Sequence, residues 1–167
     1  MKTYNNLFKK LCSLENLRLA FKKAMKGKTK KWYVQEFESN QQNELTKLKI
    51  ELETQAYKPK PLKRFVIKDP KTRVIHASEF RDRVVHHAIC NIIEPIFEKI
   101  FIFDTYANRK KKSVHAGLKR FDEFKRKVSR VGELLRDAKD NNKVVGYTLK
   151  ADIKHYFDTI DIEILMK

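Results

Sequence analysis

Glycine and proline, the residues that most often interrupt secondary structure, are scarce in this chain. Its 167 residues include four of each, and three of the four prolines fall within residues 59–70. Proline fixes φ and lacks a backbone donor, so helical structure is expected to stop before Pro59. Abundant lysine, glutamate, leucine and phenylalanine favour helices elsewhere. The sequence therefore predicts an α+β fold in which helices dominate around a small antiparallel sheet.

The net charge of the chain is strongly positive. Lysine and arginine total 38 against 21 aspartates and glutamates, which gives a formal net charge of +17. A small protein with this surplus repels itself unless it meets a polyanion. Nucleic acid is the favoured partner, because phosphates neutralised by lysine and arginine release counterions. An anionic membrane surface is the competing partner, and a lysine-rich proteome is the alternative explanation.

Cysteine usage and hydropathy indicate the compartment. Cys12 and Cys90 form neither a disulfide framework nor a metal-ligand spacing, which fits a reducing environment. No apolar run reaches the roughly 18–20 residues of a membrane span, and the first residues lack a signal-peptide core. We therefore expect a cytoplasmic location and no membrane partner.

Helical periodicity predicts two helices before the prolines. Residues 1–31 hold ten lysines or arginines against one acid, Glu15, which indicates a basic amphipathic helix followed by a charged connector over 26–31. This helix is either solvated and frayed or in contact with a nucleic-acid backbone. A second helix is predicted over 40–54. The apolar stripes are Leu7, Leu11, Leu14, Leu17 and Phe21 in the first helix, and Leu45, Leu48 and Leu52 in the second.

A hairpin and two further helices are predicted next. The extended segments 64–68 and 72–76 flank the turn Asp69-Pro70-Lys71. A long helix should begin near Ser78 or Glu79, with Ser78 as a good N-cap and Glu79 as an acid in the first turn. It should be largely buried, with Pro95 kinking it or opening a new turn. Residues 101–112 form a loop, Ser113 caps a helix that reaches residue 135, residues 140–142 turn, and a strand covers 143–151.

Asp152 lies at the end of the predicted strand 143–151. Strand side chains alternate between faces, which places Tyr147, Leu149 and Ala151 on the core side and Asp152 on the polar side. A carboxylate there can bind Mg²⁺, and polymerases use two such ions for in-line phosphoryl transfer. Most aspartates at strand ends are helix N-caps instead, so the residue type alone is weak support.

An aromatic pair follows this carboxylate. Phe157, five residues after Asp152, could lie beneath the sugar of an incoming nucleotide, where its ring would clash with a 2′-hydroxyl and select deoxynucleotides. Packing of Tyr156 and Phe157 in the core of a short helix is the commoner fate and remains the alternative. Further carboxylates follow at Asp158 and Asp161.

Four blocks of this sequence resemble bacterial reverse transcriptases in the expected order. Residues 149–161, LKADIKHYFDTID, are similar to the first catalytic motif, and residues 66–75, VIKDPKTRVI, to the fingers hairpin. Residues 80–89, FRDRVVHHAI, resemble the helix after that hairpin, and residues 94–98 with 104–110, EPIFE and DTYANRK, resemble the next block. The residues of these blocks, among them the paired histidines and YANRK, are most similar to those in the enzymes of diversity-generating retroelements. Group II intron and retron enzymes share the general pattern.

The resemblance covers residues 57–165 and implies an architecture and an activity. The fold would be the helix-rich fingers and partial palm of a right-hand polymerase, with a basic helical region over 1–56, fingers over 57–142 and the start of the palm over 143–167. The activity would be RNA-directed DNA polymerisation. Its partners would be an RNA template and primer, deoxynucleoside triphosphates and an accessory protein of the retroelement.

Roles follow residue by residue from the same resemblance. Asp152 would be the catalytic ligand of both Mg²⁺ ions, helped by the carbonyl of Ile153, and Phe157 would be the sugar gate. Lys68 and Arg73 would grip the triphosphate, to which the planar fork of arginine is suited. The template path would be lined by Arg81, Arg83, Arg109, Lys110, Lys111 and Lys112. Helix-surface salt bridges, such as Glu79 with Arg83, are the alternative for the first two arginines.

The sequence also departs from the family pattern. Ala107 and Asn108 precede three lysines where relatives often carry glycine, and the 167 residues contain no aromatic-x-Asp-Asp segment to supply the other metal-binding carboxylates. The two-ion site is therefore expected to be incomplete, the chain to be a fragment or truncated product, and the chain alone to be inactive. The alternatives are a non-catalytic remnant that binds RNA or DNA, and a basic scaffold for a protein partner.

Overall fold

The computed structural model describes residues 3–109, 112–128, 147, 149–154 and 156–166. The chain divides into two compact units, residues 1–101 and residues 102–167. The first unit holds a helical core and a two-stranded antiparallel sheet, and the second holds a loop, one long helix and short helical turns. This mixture of dominant helices and a small antiparallel sheet agrees with the α+β class expected from the sequence.

The N-terminal region contains two helices where the sequence predicted one. Helix α1 spans Leu7–Leu11 and helix α2 spans Leu14–Met25. The break occurs because Ser13 is extended, with φ −63° and ψ 138°, and its side chain accepts a hydrogen bond from the Asn16 N–H. A serine in this role begins a new helix, so the prediction of one continuous helix is wrong. Gly27, just past the end of α2, has φ +74°, a left-handed conformation that suits glycine.

Helix α3 spans Trp32–Ser39, a segment for which the sequence predicted no element. Aromatic and β-branched residues have modest intrinsic helix propensity, so the local residue types of this segment gave little helix signal. The helix is stabilised by burial of Val34 and Phe37. Helix α4 spans Gln41–Glu53 and confirms the helix predicted over 40–54, with Leu45, Leu48 and Leu52 buried.

The predicted hairpin is confirmed with a shift of one residue in each strand. Strand β1 spans Lys63–Ile67 and strand β2 spans Arg73–Ala77. They pair antiparallel, with Lys63 opposite Ala77 and Ile67 opposite Arg73. All five residues of β1 are exposed, as are three of the five in β2. The hairpin therefore projects from the helical core of the first unit and presents its side chains to solvent.

Helix α5 spans Phe80–Phe97, close to the predicted start. Glu79 occupies the N-cap position and makes no side-chain capping bond, so the expected cap at Ser78 is not formed. Pro95 lies in the last turn, and the helix ends two residues later, so no new turn opens at this proline. The helix is buried only in its first half, because Ile89 and Ile93 are each 37% exposed. The expectation of a largely buried helix is therefore wrong for the second half.

The core of the first unit joins four helices. Helix α2 packs mainly against α5 and also against α4, while α3 contacts both α4 and α5. Three phenylalanine rings meet at its centre: Phe21 stacks on Phe37 at 5.4 Å between centroids, and Phe80 meets Phe37 edge-on at 5.3 Å. The buried apolar side chains of this core are Cys12, Leu17, Ala20, Phe21, Ala24, Val34, Phe37, Leu45, Leu48, Leu52, Phe80, Val84, Val85 and Ala88.

The second unit contains helix α6, which spans Val114–Val128. The predicted cap is confirmed, because Ser113 Oγ accepts a hydrogen bond from the Ala116 N–H at 3.2 Å. The helix buries none of its residues. The predicted continuation to residue 135 and the turn at 140–142 lie outside the described residues. A 3₁₀ turn follows at Tyr156–Thr159, and helix α7 spans Ile162–Leu165.

The described part of the predicted strand 143–151 is not a strand. Tyr147 and residues 149–151 have no sheet partner, and the side chains expected on the core side are exposed, Leu149 by 92%. In the described part of the chain the sheet consists of β1 and β2 alone, so this segment has neither a neighbouring strand nor an apolar layer to cover it. Residues 143–146 and 148 lie outside the described residues.

Candidate nucleic-acid interface

The turn of the hairpin carries the two cations expected to grip a triphosphate. Arg73 is the first residue of β2 and pairs with Ile67, and Lys68 lies one residue beyond that last pair. Both side chains belong to exposed residues. Lys71 is a third exposed cation between them, against one acid, Asp69. The turn is thus a compact positive surface that solvent reaches from several sides, as binding of a polyphosphate requires.

A buried carboxylate fixes the segment that leads into this hairpin. Asp82 of α5 is 1% exposed. It accepts hydrogen bonds from the Tyr57 hydroxyl at 2.7 Å and from the Lys60 backbone N–H at 3.0 Å. Burial, and then the hydrogen bond to Asp82, raise the pKa of Tyr57, so this phenol remains a donor. Asp82 therefore ties the chain before β1 to the first turn of α5.

Arg81 belongs to the same network. Its guanidinium contacts the carboxylate of Glu51 on α4, lies 3.8 Å from Asp82 and stands 5.2 Å from the centre of the Tyr57 ring. The arginine side chain is only 15% exposed. These contacts link α4, α5 and the pre-hairpin segment, so Arg81 has a structural role. Its predicted template role stays a prediction.

Arg83 lies one turn into α5 and makes different contacts. Its Nε donates to the Ser78 carbonyl at 3.0 Å, and its guanidinium stands 5.4 Å from the centre of the Tyr33 ring. The alternative pair of Glu79 with Arg83 is not formed among these contacts, because Glu79 instead pairs with Lys63 at 2.9 Å. Arg83 thus lines the side of a cleft between α3 and the base of the hairpin.

The loop of the second unit contains two of the expected template cations. Arg109 Nη1 donates to the carbonyls of Ile102 and Thr105, at 3.0 and 3.3 Å, and so closes the loop on itself. Lys112 Nζ stands 3.8 Å from the centre of the Phe103 ring. Lys110 and Lys111 lie outside the described residues. The template role predicted for this basic run stays a prediction.

A second ion pair organises the same loop. Asp104 accepts a hydrogen bond from Arg120 Nε of α6 at 3.0 Å and another from the Tyr106 hydroxyl at 3.0 Å. The hydrogen bond from Arg120 is the main reason why the pKa of Asp104 lies below its usual range. These contacts hold the loop against the first turns of α6.

Asp152 and Phe157 are exposed in the second unit. Asp152 precedes a turn, and Phe157 is 84% exposed, with its ring meeting that of Tyr156 edge-on at 5.1 Å. The aromatic pair is therefore not packed in a core within the described part of the chain. Ile153, whose carbonyl the resemblance makes a metal ligand, is 69% exposed. The roles of these residues stay predictions.

The donor set around Asp152 does not amount to a two-ion site. Asp161 uses its carboxylate to cap α7, accepting from the Ile164 N–H at 3.0 Å, and the Asp158 side chain lies outside what the structure describes. Within the described residues, no three histidine, cysteine, aspartate or glutamate side chains form a group that could hold a metal ion. One carboxylate and one carbonyl do not satisfy two Mg²⁺ ions, so we derive no catalytic step from them.

Sequence reasoning missed Asp82, Tyr57 and Lys60 as a unit. The residues Arg81-Asp82-Arg83 suggest a solvated charged surface, whereas Asp82 is buried. A signal was available, because the predicted apolar stripe of Val85 and Ile89 continues backward by one turn to Asp82.

No helix in the described ranges combines the length and apolar character needed to cross a bilayer.

Comparison with known proteins yields limited similarity. No protein-family model matches the sequence. The chain is similar to Protein YkfC of Escherichia coli (strain K12), with 30% identity over 126 residues, which cover 74% of this chain and 30% of that protein. The chain thus spans about 30% of the length of the curated relative it matches.

Proposed function

We propose that this chain is the fingers and early palm part of an RNA-directed DNA polymerase. In the complete enzyme, a primer 3′-hydroxyl attacks the α-phosphate of a deoxynucleotide on an RNA template and pyrophosphate leaves. The observation that carries the proposal is the exposed hairpin with Lys68 and Arg73 at its turn, in a chain of net charge +17. A cytosolic setting, which the two free cysteines favour, belongs to the same proposal.

The hairpin suits triphosphate binding for electrostatic reasons. Arg73 presents a planar fork that binds phosphate oxygens in pairs, while Lys68 supplies a compact mobile charge. The Asp82 contacts fix the segment before β1, so less conformational entropy of the chain is lost when a ligand binds at the turn. Mg²⁺, when bound beside Asp152 and ligands from further along a longer protein, would neutralise phosphate charge.

Binding of nucleic acid and nucleotide tests the proposal. Purified chain should bind an RNA template annealed to a DNA primer, with affinity that falls steeply as salt rises. It should also bind a deoxynucleoside triphosphate, and Arg73→Ala should weaken that binding about tenfold, the loss of roughly one charge-assisted pair. Lys47→Ala, which removes an exposed cation of helix α4 outside the hairpin, is the matched control and should change nucleotide binding less than twofold.

Other outcomes identify the competing functions. A non-catalytic RNA- or DNA-binding remnant would bind nucleic acid with an affinity that neither Mg²⁺ nor Asp152→Ala changes. It would not bind a deoxynucleoside triphosphate. Failure to bind nucleic acid even at low salt would overturn both the polymerase proposal and the remnant. It would favour a basic scaffold that recruits a protein partner. We expect no primer extension from this chain alone, and extension that Asp152→Ala abolishes would refute that expectation.

A further inference from the structure

A cleft of about 490 Å³ lies between α3, α4 and the base of the hairpin, entirely within the first unit. Its volume falls in the range of about 300–1,000 Å³ typical of small-ligand sites. Its walls include the rings of Trp32 and Tyr33, the carboxylates of Glu36 and Glu44, and the lysine side chain of Lys60. The cleft is separate from the hairpin turn and needs its own explanation.

Trp32 is the chain's only tryptophan, and it is 69% exposed at the rim of this cleft. A single exposed aromatic residue is ordinary in itself. Trp32 differs because its ring adjoins a concave surface and not a flat one. The neighbouring ring of Tyr33 is already engaged, since Arg83 lies over it at 5.4 Å and Phe80 approaches at 5.9 Å. Trp32 meets the Tyr33 ring edge-on at 5.9 Å but, at 69% exposure, still offers an aromatic surface on which a ligand can stack.

Two carboxylates give the cleft its hydrogen-bonding character. Glu36 lies four residues after Trp32 on α3, a spacing that places both side chains on one side of the helix. Glu44 reaches the cleft from α4. None of the ion pairs in the described part of the chain involves Glu36 or Glu44, whereas Glu79, also in the lining, is held by Lys63. Ionised carboxylates accept and never donate, so a complementary ligand must present donors beside a flat ring.

The charge of the lining selects among flat ligands with donors. Four cations, from Lys60, Lys63, Arg81 and Arg83, line the cleft with three acids. A cationic ligand such as a methylated lysine would meet these cations in a chain that already carries +17. A nucleotide instead offers a neutral base to the carboxylates and a phosphate to Lys60, since Lys63 is paired with Glu79. Among the bases, guanine has two adjacent Watson–Crick donors that match the two oxygens of one carboxylate.

We propose that this cleft binds an unpaired guanine of single-stranded RNA, with Trp32 as the stacking surface and Glu36 as the acceptor for the base's donors. Lys60 contacts the phosphate on the 5′ or 3′ side of this guanosine. The backbone N–H of Lys60 donates to Asp82 at 3.0 Å, which fixes the position of the lysine backbone. The inference takes from the proposed function only that the chain binds RNA, and it adds a site with base preference away from the hairpin turn.

Selectively excited tryptophan fluorescence tests this directly, since Trp32 is the chain's single tryptophan. The full chain is titrated with two RNA nonamers, nine uridines and the same strand with guanosine at its centre. We expect quenching by the guanosine strand and roughly tenfold tighter binding than for oligouridine, the discrimination of about one bidentate base contact. Substituting adenosine for guanosine should remove most of the preference.

Variants separate the cleft from general RNA binding. Glu36→Gln should abolish the preference for guanosine, while Glu38→Gln, an exposed acid on the same helix outside the cleft lining, should preserve it. Trp32→Phe, followed by anisotropy of labelled RNA, should weaken guanosine binding while oligouridine binding changes little. Far-UV circular dichroism checks that each variant is folded.

The negative outcomes are distinguishable. Equal binding of both strands without quenching would overturn the cleft site and leave the proposed function standing. If neither strand binds at low salt, both the cleft site and the proposed function are overturned. Quenching by tetramethylammonium in place of the guanosine strand would overturn the nucleobase assignment and indicate a cation site.

Discussion

Removing the buried carboxylate of Asp82 should destabilise the first unit strongly. Asp82→Ala deletes the acceptor for the Tyr57 hydroxyl at 2.7 Å and for the Lys60 N–H at 3.0 Å, and leaves Arg81 with Glu51 as its acidic contact. Hydrogen bonds to charged groups contribute about 1.5–3 kcal/mol each, and breaking a buried charged network costs about 3–5 kcal/mol. We expect the free energy of unfolding to fall by about 3–5 kcal/mol.

Urea denaturation followed by far-UV circular dichroism measures this loss. Glu53→Ala is the matched control in the same unit, because Glu53 pairs with Lys49 at 3.7 Å while 50% exposed. Exposed pairs of this kind contribute about 0.2–1 kcal/mol, so the control should fall near the low end of that range. Tyr57→Phe alone should cost about 1.5–3 kcal/mol, as it removes one of the hydrogen bonds to Asp82.

A double-mutant cycle decides whether Asp82 acts through Tyr57. If the contact matters, Asp82→Ala combined with Tyr57→Phe should destabilise by less than the sum of the single changes, with a coupling of about 0.5–3 kcal/mol. A loss below about 1 kcal/mol for Asp82→Ala, or strict additivity of the two changes, would refute the reasoning that Asp82 anchors the pre-hairpin segment.

Three further predictions follow from the core and the titrating groups. Leu48→Ala, at a fully buried site of α4, should lower the free energy of unfolding by about 2–5 kcal/mol in urea denaturation, because the cavity left cannot fully collapse. The raised pKa of Tyr57 makes the folded state lose stability as pH rises above the ordinary value of 10.0, and Tyr57→Phe should reduce that alkaline loss. NMR titration should give Asp104 a pKa below its ordinary 3.8. The contribution of Asp104 to folding stability is then complete above pH 3.8 and is lost as the pH falls through the lowered pKa. Arg120→Ala should return the pKa toward 3.8.

Local patterns were sufficient where the structure depends on short-range chemistry. The hairpin of β1 and β2 follows from two extended segments joined by a turn with Asp69 and Pro70, and α4 follows from its leucine stripe. The cap of α6 at Ser113 was predictable because capping uses a hydroxyl and an amide only three residues apart. The exposure of the hairpin turn also follows from its charge, since Lys68, Lys71 and Arg73 are costly to bury.

Packing between distant segments overrode local patterns elsewhere. Continuous periodicity predicted a single N-terminal helix, but Asn16 donates to the Leu11 carbonyl at 3.0 Å and to the Ala88 carbonyl of α5 at 3.1 Å. The start of α2 is thus fixed by a helix 72 residues away in sequence. Helix α3 likewise forms because Val34 and Phe37 are buried against α4 and α5, in spite of low local propensity.

The amino-acid sequence by itself determined the helical class, the hairpin and the positive charge, because each depends on residue type or on contacts within a few positions. Only the tertiary structure decided that Asp82 is buried and that Trp32 lines a cleft. Asp82 is buried because Tyr57 and Lys60, 25 and 22 residues earlier, supply its hydrogen-bond donors. Trp32 stays at the rim of a cleft because α3, α4 and the hairpin base meet beside it. Such placements depend on donors and surfaces far apart in sequence, which local patterns do not specify.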